Sequence, residues 1–95
     1  MSIISDLNKI FDSRIRLGIM SILSVNDTVD FNTMKELLEL TDGNLASHLK
    51  SLENADYIQT TKQFIGRKPN TKYQITKLGK RDFKEHLDAL EKFIL

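Results

Sequence analysis

Two histidines, 13 carboxylates and 14 cationic side chains are the groups in this 95-residue chain that could do acid–base, metal or ionic chemistry. Acid–base catalysis and metal binding need several such groups in one place, and the spacing offers no such place. His48 and His86 lie far apart, neither with a second ligand at metal-site spacing, and the chain has no cysteine. A transition-metal site, a disulfide and a cysteine nucleophile are therefore not expected. Asp27 and Asp30 flank a short apolar alternation, where carboxylates are usually solvated or capping. No Gly-rich phosphate cradle and no Ser/His/Asp spacing occurs. The residues argue against an enzyme, and no cofactor is expected.

The cations tell a different story. Residues 1–56 hold 5 basic and 9 acidic side chains, a balance of −4, whereas residues 57–84 hold 8 basic and 1 acidic, a balance of +7. Residues 85–95 return to −2, and the net charge is only +1. Charge blocks in sequence become patches in space, so one face should be cationic and suited to a polyanion. Lys62, Arg67, Lys68 and Lys72 cluster around the single proline, Pro69, and Lys77, Lys80, Arg81 and Lys84 follow closely.

The elements that must carry this charge can be read from periodicity. An apolar fraction of 40% and a charged fraction of 28% suit one globular domain spanning residues 1–95. The N-terminus has no basic n-region with a continuous apolar core, so a signal peptide is not expected. No window reaches the ~18 apolar residues of a membrane span. A cytoplasmic location without membrane contact is the expectation.

Ile3, Ile4, Leu7, Ile10 and Phe11 form a stripe at helical spacing, and Asp12-Ser13 should break it before "RIRLGIMSIL", apolar on most sides and so a central helix. Val29 and Phe31 alternate with polar residues as a stub of strand. Asn32 or Thr33 then caps a helix carrying Met34, Leu37 and Leu38, with Thr33 and Glu36 in capping-box form. Thr41 or Asp42 caps another helix almost at once, with Leu45, Leu49, Leu52 and Ala55 on its buried side. Two short helices joined by a tight turn containing Gly43 make a helix-turn-helix. Asp56 falls where a helix ends in a left-handed residue. The period then becomes two: "YIQTTKQFI" and "TKYQIT" flank "GRKPN", a hairpin with a loop of about five residues. Phe64 and Tyr73 should face the hairpin's own core. Thr76 caps a last helix carrying Leu78, Phe83, Leu87, Leu90, Phe93 and Ile94, with His86 on a polar face.

The fold class is mainly α with a small β-hairpin (α+β), in the order α-α-β-α-α-β-β-α: a winged helix-turn-helix. A helix with an exposed face of small polar residues suits the major groove of DNA. Asn44, Ser47, His48, Lys50 and Ser51, on the helix over 42–55, are the candidate base and phosphate contacts. The basic wing over 62–73 presents Arg67, Lys68 and Lys72 to the flanking backbone or the minor groove. Arg14 and Arg16 are weaker phosphate candidates. His48 sits on the border of the buried arc and serves equally as a packing residue. The terminal segments 1–11 and 77–95 carry apolar stripes, ending in Phe93, Ile94 and Leu95, suited to homodimerisation, although the N-terminal one could as well fold back on its own domain.

"DGNLASHLKSLENADYI", "FIGRKPNTKY" and the "LGK" after Thr76 resemble a prokaryotic winged-helix family akin to the MarR and ArsR transcriptional regulators. Asp42, Gly43, Asn44, Leu45, His48, Leu49, Leu52, Glu53, Tyr57, Phe64, Gly66, Arg67, Pro69, Thr71, Tyr73, Thr76 and Gly79 match its pattern, and the likeness covers residues 12–95. Asp56 replaces a glycine of the pattern, and Ser47 stands where the family is usually basic. The resemblance implies a dimeric, sequence-specific regulator that binds double-stranded DNA. The alternative is a winged-helix interaction module that turns its basic face to an acidic protein. Nothing in the sequence marks an effector site.

Overall fold

Residues 3–94 are described by the computed structural model; Met1, Ser2 and Leu95 lie outside the described residues, as does the side chain of Ile3. Ser13 caps helix α1 (Arg14–Ser24), its hydroxyl accepting from the Arg16 N–H at 3.2 Å. Ile19, Met20 and Leu23 of α1 are fully buried, as a central helix requires. Strand β1 (Val29–Asp30) is only two residues long.

Asp30, and not Asn32 or Thr33, caps helix α2 (Phe31–Leu38). Its backbone is extended where the strand ends, and its carboxylate accepts from the Thr33 N–H at 3.3 Å. Thr33 already lies inside the helix, where its side chain cannot cap the first turn. Helix α2 closes on left-handed Glu39 (φ 52°), and the Thr41 hydroxyl caps helix α3 (Asp42–Asn54) by accepting from the Asn44 N–H at 3.2 Å. The connection is thus Glu39–Thr41, while Gly43, expected in that turn, sits in the first turn of α3. A 2.8 Å ion pair from Lys35 to Asp42 ties the two helices together.

Asp56 takes the left-handed conformation expected of it (φ 60°) and leads into the hairpin of β2 (Ile58–Ile65) and β3 (Lys68–Ile75). The sheet is antiparallel in the order β1-β3-β2, with β1 reaching only Lys72 and Tyr73. Because the β2–β3 ladder runs from Ile58↔Ile75 to Ile65↔Lys68, only Gly66 and Arg67 remain in the turn. The expected five-residue loop is a two-residue one. Gly66 at φ 65° before Arg67 fits a type II′ turn. A hydrogen-bonded pair closes such a turn, so Phe64↔Pro69 falls at a non-hydrogen-bonded pair and the missing proline N–H removes no bond.

Thr76 caps helix α4 (Lys77–Glu91): its hydroxyl accepts from the Gly79 N–H at 2.9 Å and donates to the Asp56 carbonyl at 2.7 Å. Gly79 lies so close to the residue leading into β2 that a Cβ there would stand 2.2 Å from the Tyr57 carbonyl oxygen.

The N-terminal stripe does not form one helix. It makes two 3-10 turns, Ile3–Asp6 and Lys9–Phe11, broken at extended Asn8, whose side chain accepts from the Ile10 N–H at 3.0 Å. An asparagine that can bond its own downstream backbone favours such a break over a continued helix. The segment folds back on α4. The Asn8 N–H donates to His86 Nδ1 at 3.0 Å, and Asn8 Nδ2 donates to the Tyr57 hydroxyl, which donates in turn to Asp82, both at 2.7 Å. Phe11 is buried with ring centroids 5.0–5.4 Å from Tyr57, Phe83 and His86. His86, expected on a polar face, is 3% exposed and belongs to the core.

Candidate nucleic-acid interface

Helix α3 packs by Leu45, Leu49 and Leu52, all fully buried. Its 3.6-residue period then leaves Asn44, Ser47, Lys50 and Ser51 on the exposed side. The Ser51 hydroxyl donates to the Ser47 carbonyl at 3.3 Å, whereas the side chains of Asn44 and Lys50 make no hydrogen bond among the described residues. One helix face therefore offers amide and ammonium donors, together with hydroxyl groups, to whatever lies against it.

His48 is half-buried, and Arg16 holds it. Arg16 Nη1 lies 3.0 Å from His48 Nδ1, and Arg16 Nε donates to the Ile10 carbonyl. A guanidinium has no acceptor, so Nδ1 must carry the lone pair and Nε2 the proton. Burial, with the Arg16 charge beside it, lowers the His48 pKa below the ordinary 6.5. The ring is thus neutral, in one tautomer, with Nε2–H as its donor. Arg16, a candidate phosphate contact by sequence, is committed instead to orienting His48 and clasping the N-terminal segment. Arg14 remains exposed.

Every residue of β2 from Thr61 to Ile65 is exposed, as are Gly66, Arg67, Lys68 and Pro69, so the hairpin projects beyond the core. Arg67 sits in the turn itself; Lys68 opposes Ile65, and half-buried Lys72 pairs with Thr61 on one side and Asp30 on the other. Among the described residues the ion pairs are Lys35–Asp42, Arg81–Asp82, Lys84–Asp88 and Lys92–Asp6. Lys50, Lys62, Arg67, Lys68, Lys72, Lys77 and Lys80 have no carboxylate partner among the described residues and are available to a polyanion. Tyr73 faces the core as expected, and burial, helped by the Glu53 charge, raises its pKa. Phe64 does not: it is 73% exposed and Ile65 is 60% exposed. The pairing of the strands as far as Ile65↔Lys68 carries both residues past the end of the core.

No group of three or more His, Cys, Asp or Glu that could hold a metal lies among the described residues, and no helix there is long and apolar enough to cross a membrane.

A helix-turn-helix, a projecting basic hairpin and a closing helix define a winged-helix DNA-binding domain. The profile of the family described as "Winged helix DNA-binding domain" matches residues 15–94, and the chain belongs to that family. The resemblance drawn from the residues of α3 and the wing is borne out at that level. MJ0432 of Methanocaldococcus jannaschii is 40% identical over 79 residues, spanning 83% of this chain and 86% of that protein. A solved structure of a transcriptional regulator homologue from Pyrococcus horikoshii OT3 is 35% identical, covers 95% of this chain and 94% of its own, and superposes with a TM-score of 0.78. The crystal structure of YusO from Bacillus subtilis shares the fold at 16% identity and a TM-score of 0.81, over 97% of this chain and 64% of that one.

Proposed function

We propose that this protein is a sequence-specific double-stranded DNA-binding regulator of transcription, cytoplasmic and homodimeric. The observation that carries the reading is the exposed polar face of α3 together with a projecting hairpin whose cations lack carboxylate partners among the described residues. Asn44, Ser47 and the Nε2–H of His48 read base edges in the major groove; Lys50 and Ser51 hold a base or a phosphate. Arg67, Lys68 and Lys72 bind the flanking backbone or the minor groove. The likeness to the Pyrococcus regulator homologue supports the same role.

Dimerisation is supported by the far end of α4 and the turn beyond it, where Leu87, Leu90, Phe93 and Ile94 are exposed. Ile4, also exposed, lies on the segment that Asp6 ties to Lys92 at 3.8 Å. A two-fold pairing there would present two α3 helices to major grooves ~34 Å apart. Selection from a pool of random duplexes tests the proposal. An enriched inverted repeat is expected; no enrichment at moderate salt would favour an acidic protein as the partner of the basic face.

A further inference from the structure

The wing carries an apolar tip that phosphate binding does not use. Phe64 lies on the face of β2 shared with Ile58 and Thr60, whose ladder partners Ile75 and Tyr73 are buried. From Thr60 to Phe64 the strand advances about 13 Å, and by then no core remains to receive the ring. Phe64 is left 73% exposed opposite Pro69. It therefore adds little to the fold, and water is an unfavourable place for it.

Its neighbours indicate what covers it. Lys62 shares its face, Arg67 follows in the turn, and Lys68 comes next. The sequence holds no acidic residue between Asp56 and Asp82. An aromatic ring set among unpaired cations on a narrow two-stranded projection is complementary to a groove with anionic walls and an apolar, stackable floor. Resting on the DNA-binding reading above, we infer that Phe64 is a wedge that enters the minor groove and partly unstacks one base step while Arg67 and Lys68 hold the adjoining phosphates. Pyrimidine–purine steps open most easily, so the wing would favour one at its landing point. This is sequence preference without a hydrogen bond to a base.

The probe is the duplex recovered by selection, with 2-aminopurine placed in turn at each step flanking the half-sites and a dye pair at its ends. Wild-type protein is expected to raise 2-aminopurine fluorescence at one step per half-site and to shorten the end-to-end distance. Phe64→Ala should lose both signals and bind about tenfold more weakly, with the salt dependence unchanged. Phe64→Leu should keep part of each signal. Arg67→Ala should do the opposite of Phe64→Ala: a shallower salt dependence with the fluorescence change retained. Because the ring is outside the core, Phe64→Ala should melt as the wild type does; if it does not, Phe64→Leu against wild type carries the comparison. The wedge is overturned if Phe64→Ala binds and bends like wild type. It is also overturned if the variant's sedimentation changes without DNA, which would make a second copy the occupant. Wild-type protein that binds no duplex would overturn the DNA-binding reading itself, a separate outcome.

Discussion

Arg16 and His48 join the central helix to the polar face of α3, with Nη1 and Nδ1 3.0 Å apart, while the same guanidinium grips the Ile10 carbonyl. One side chain thereby fixes the tautomer of His48, the seating of α3 and the path of the N-terminal segment. Arg16→Ala should leave His48 Nδ1 and the Ile10 carbonyl without partners and cost about 1–3 kcal/mol of stability. Arg16→Lys should recover little, since an ammonium cannot reproduce the planar fork that bridges the two acceptors. Urea denaturation measures the loss, and duplex binding of the folded fraction measures whether α3 still presents His48 correctly.

The glycines separate by what surrounds them. Gly79→Ala would drive a Cβ into the Tyr57 carbonyl, where backbone on both sides cannot give way. The expected loss is about 1–3 kcal/mol or more. Gly43, in the first turn of α3 with nothing within 4 Å of a Cβ, should behave oppositely. Gly43→Ala is expected to stabilise by about 0.4–1 kcal/mol. Thermal melts of the two variants side by side check both signs.

Asn8 is the hub of the N-terminal clasp, bonding the Ile10 N–H, His86 and the Tyr57 hydroxyl. Asn8→Ala removes the side-chain bonds and should release the segment 3–11 locally, at a cost of about 1–3 kcal/mol. Hydrogen exchange should show faster amides in Lys9–Phe11 while the amides of α1 stay protected. Equal protection in variant and wild type would show that the Asn8 side chain is not what holds the segment.

Acid should weaken the fold through the histidines. Burial lowers the pKa of both His86 and His48 below 6.5; the Arg16 charge lowers that of His48 further, and Asp12 only partly offsets the effect at His86. The unfolded chain then binds protons more readily than the folded one below pH 6.5. Stability from these groups is therefore fully present above that pH and is lost as pH falls through 6.5 toward the folded-state values. His86 also accepts the Asn8 N–H through Nδ1, a bond its protonated ring cannot keep. Denaturation midpoints between pH 7 and pH 5 should fall for wild type and fall less for His86→Gln.

Much of this was legible in the sequence. The order of elements from Arg14 onward, the caps at Thr41 and Thr76, and left-handed Asp56 follow from local chemistry that tertiary contacts do not override. The polar face of α3 followed from the 3.6-residue period alone. The misreadings share a cause: local signals that serve a distant partner. Pro69 reads as a turn until strand pairing shows that its missing N–H is harmless there. Ile3 to Phe11 reads as a helix until Asn8 is seen to bond Tyr57 and His86 across the fold. Phe64 reads as core because its period is right, yet the strand outruns the core that would receive it.

The central claim is that the cations of the wing supply much of the attraction to DNA while α3 makes the base-edge contacts that choose the sequence. The most direct test is the affinity for the selected duplex as a function of salt, for wild type and for the double variant Arg67→Ala/Lys68→Ala. Each phosphate contact contributes about −0.9 to the slope of log K against log salt. The double variant should bind more weakly with a slope shallower by about 2, and its ranking of duplex sequences should be largely kept. An unchanged slope would contradict the account.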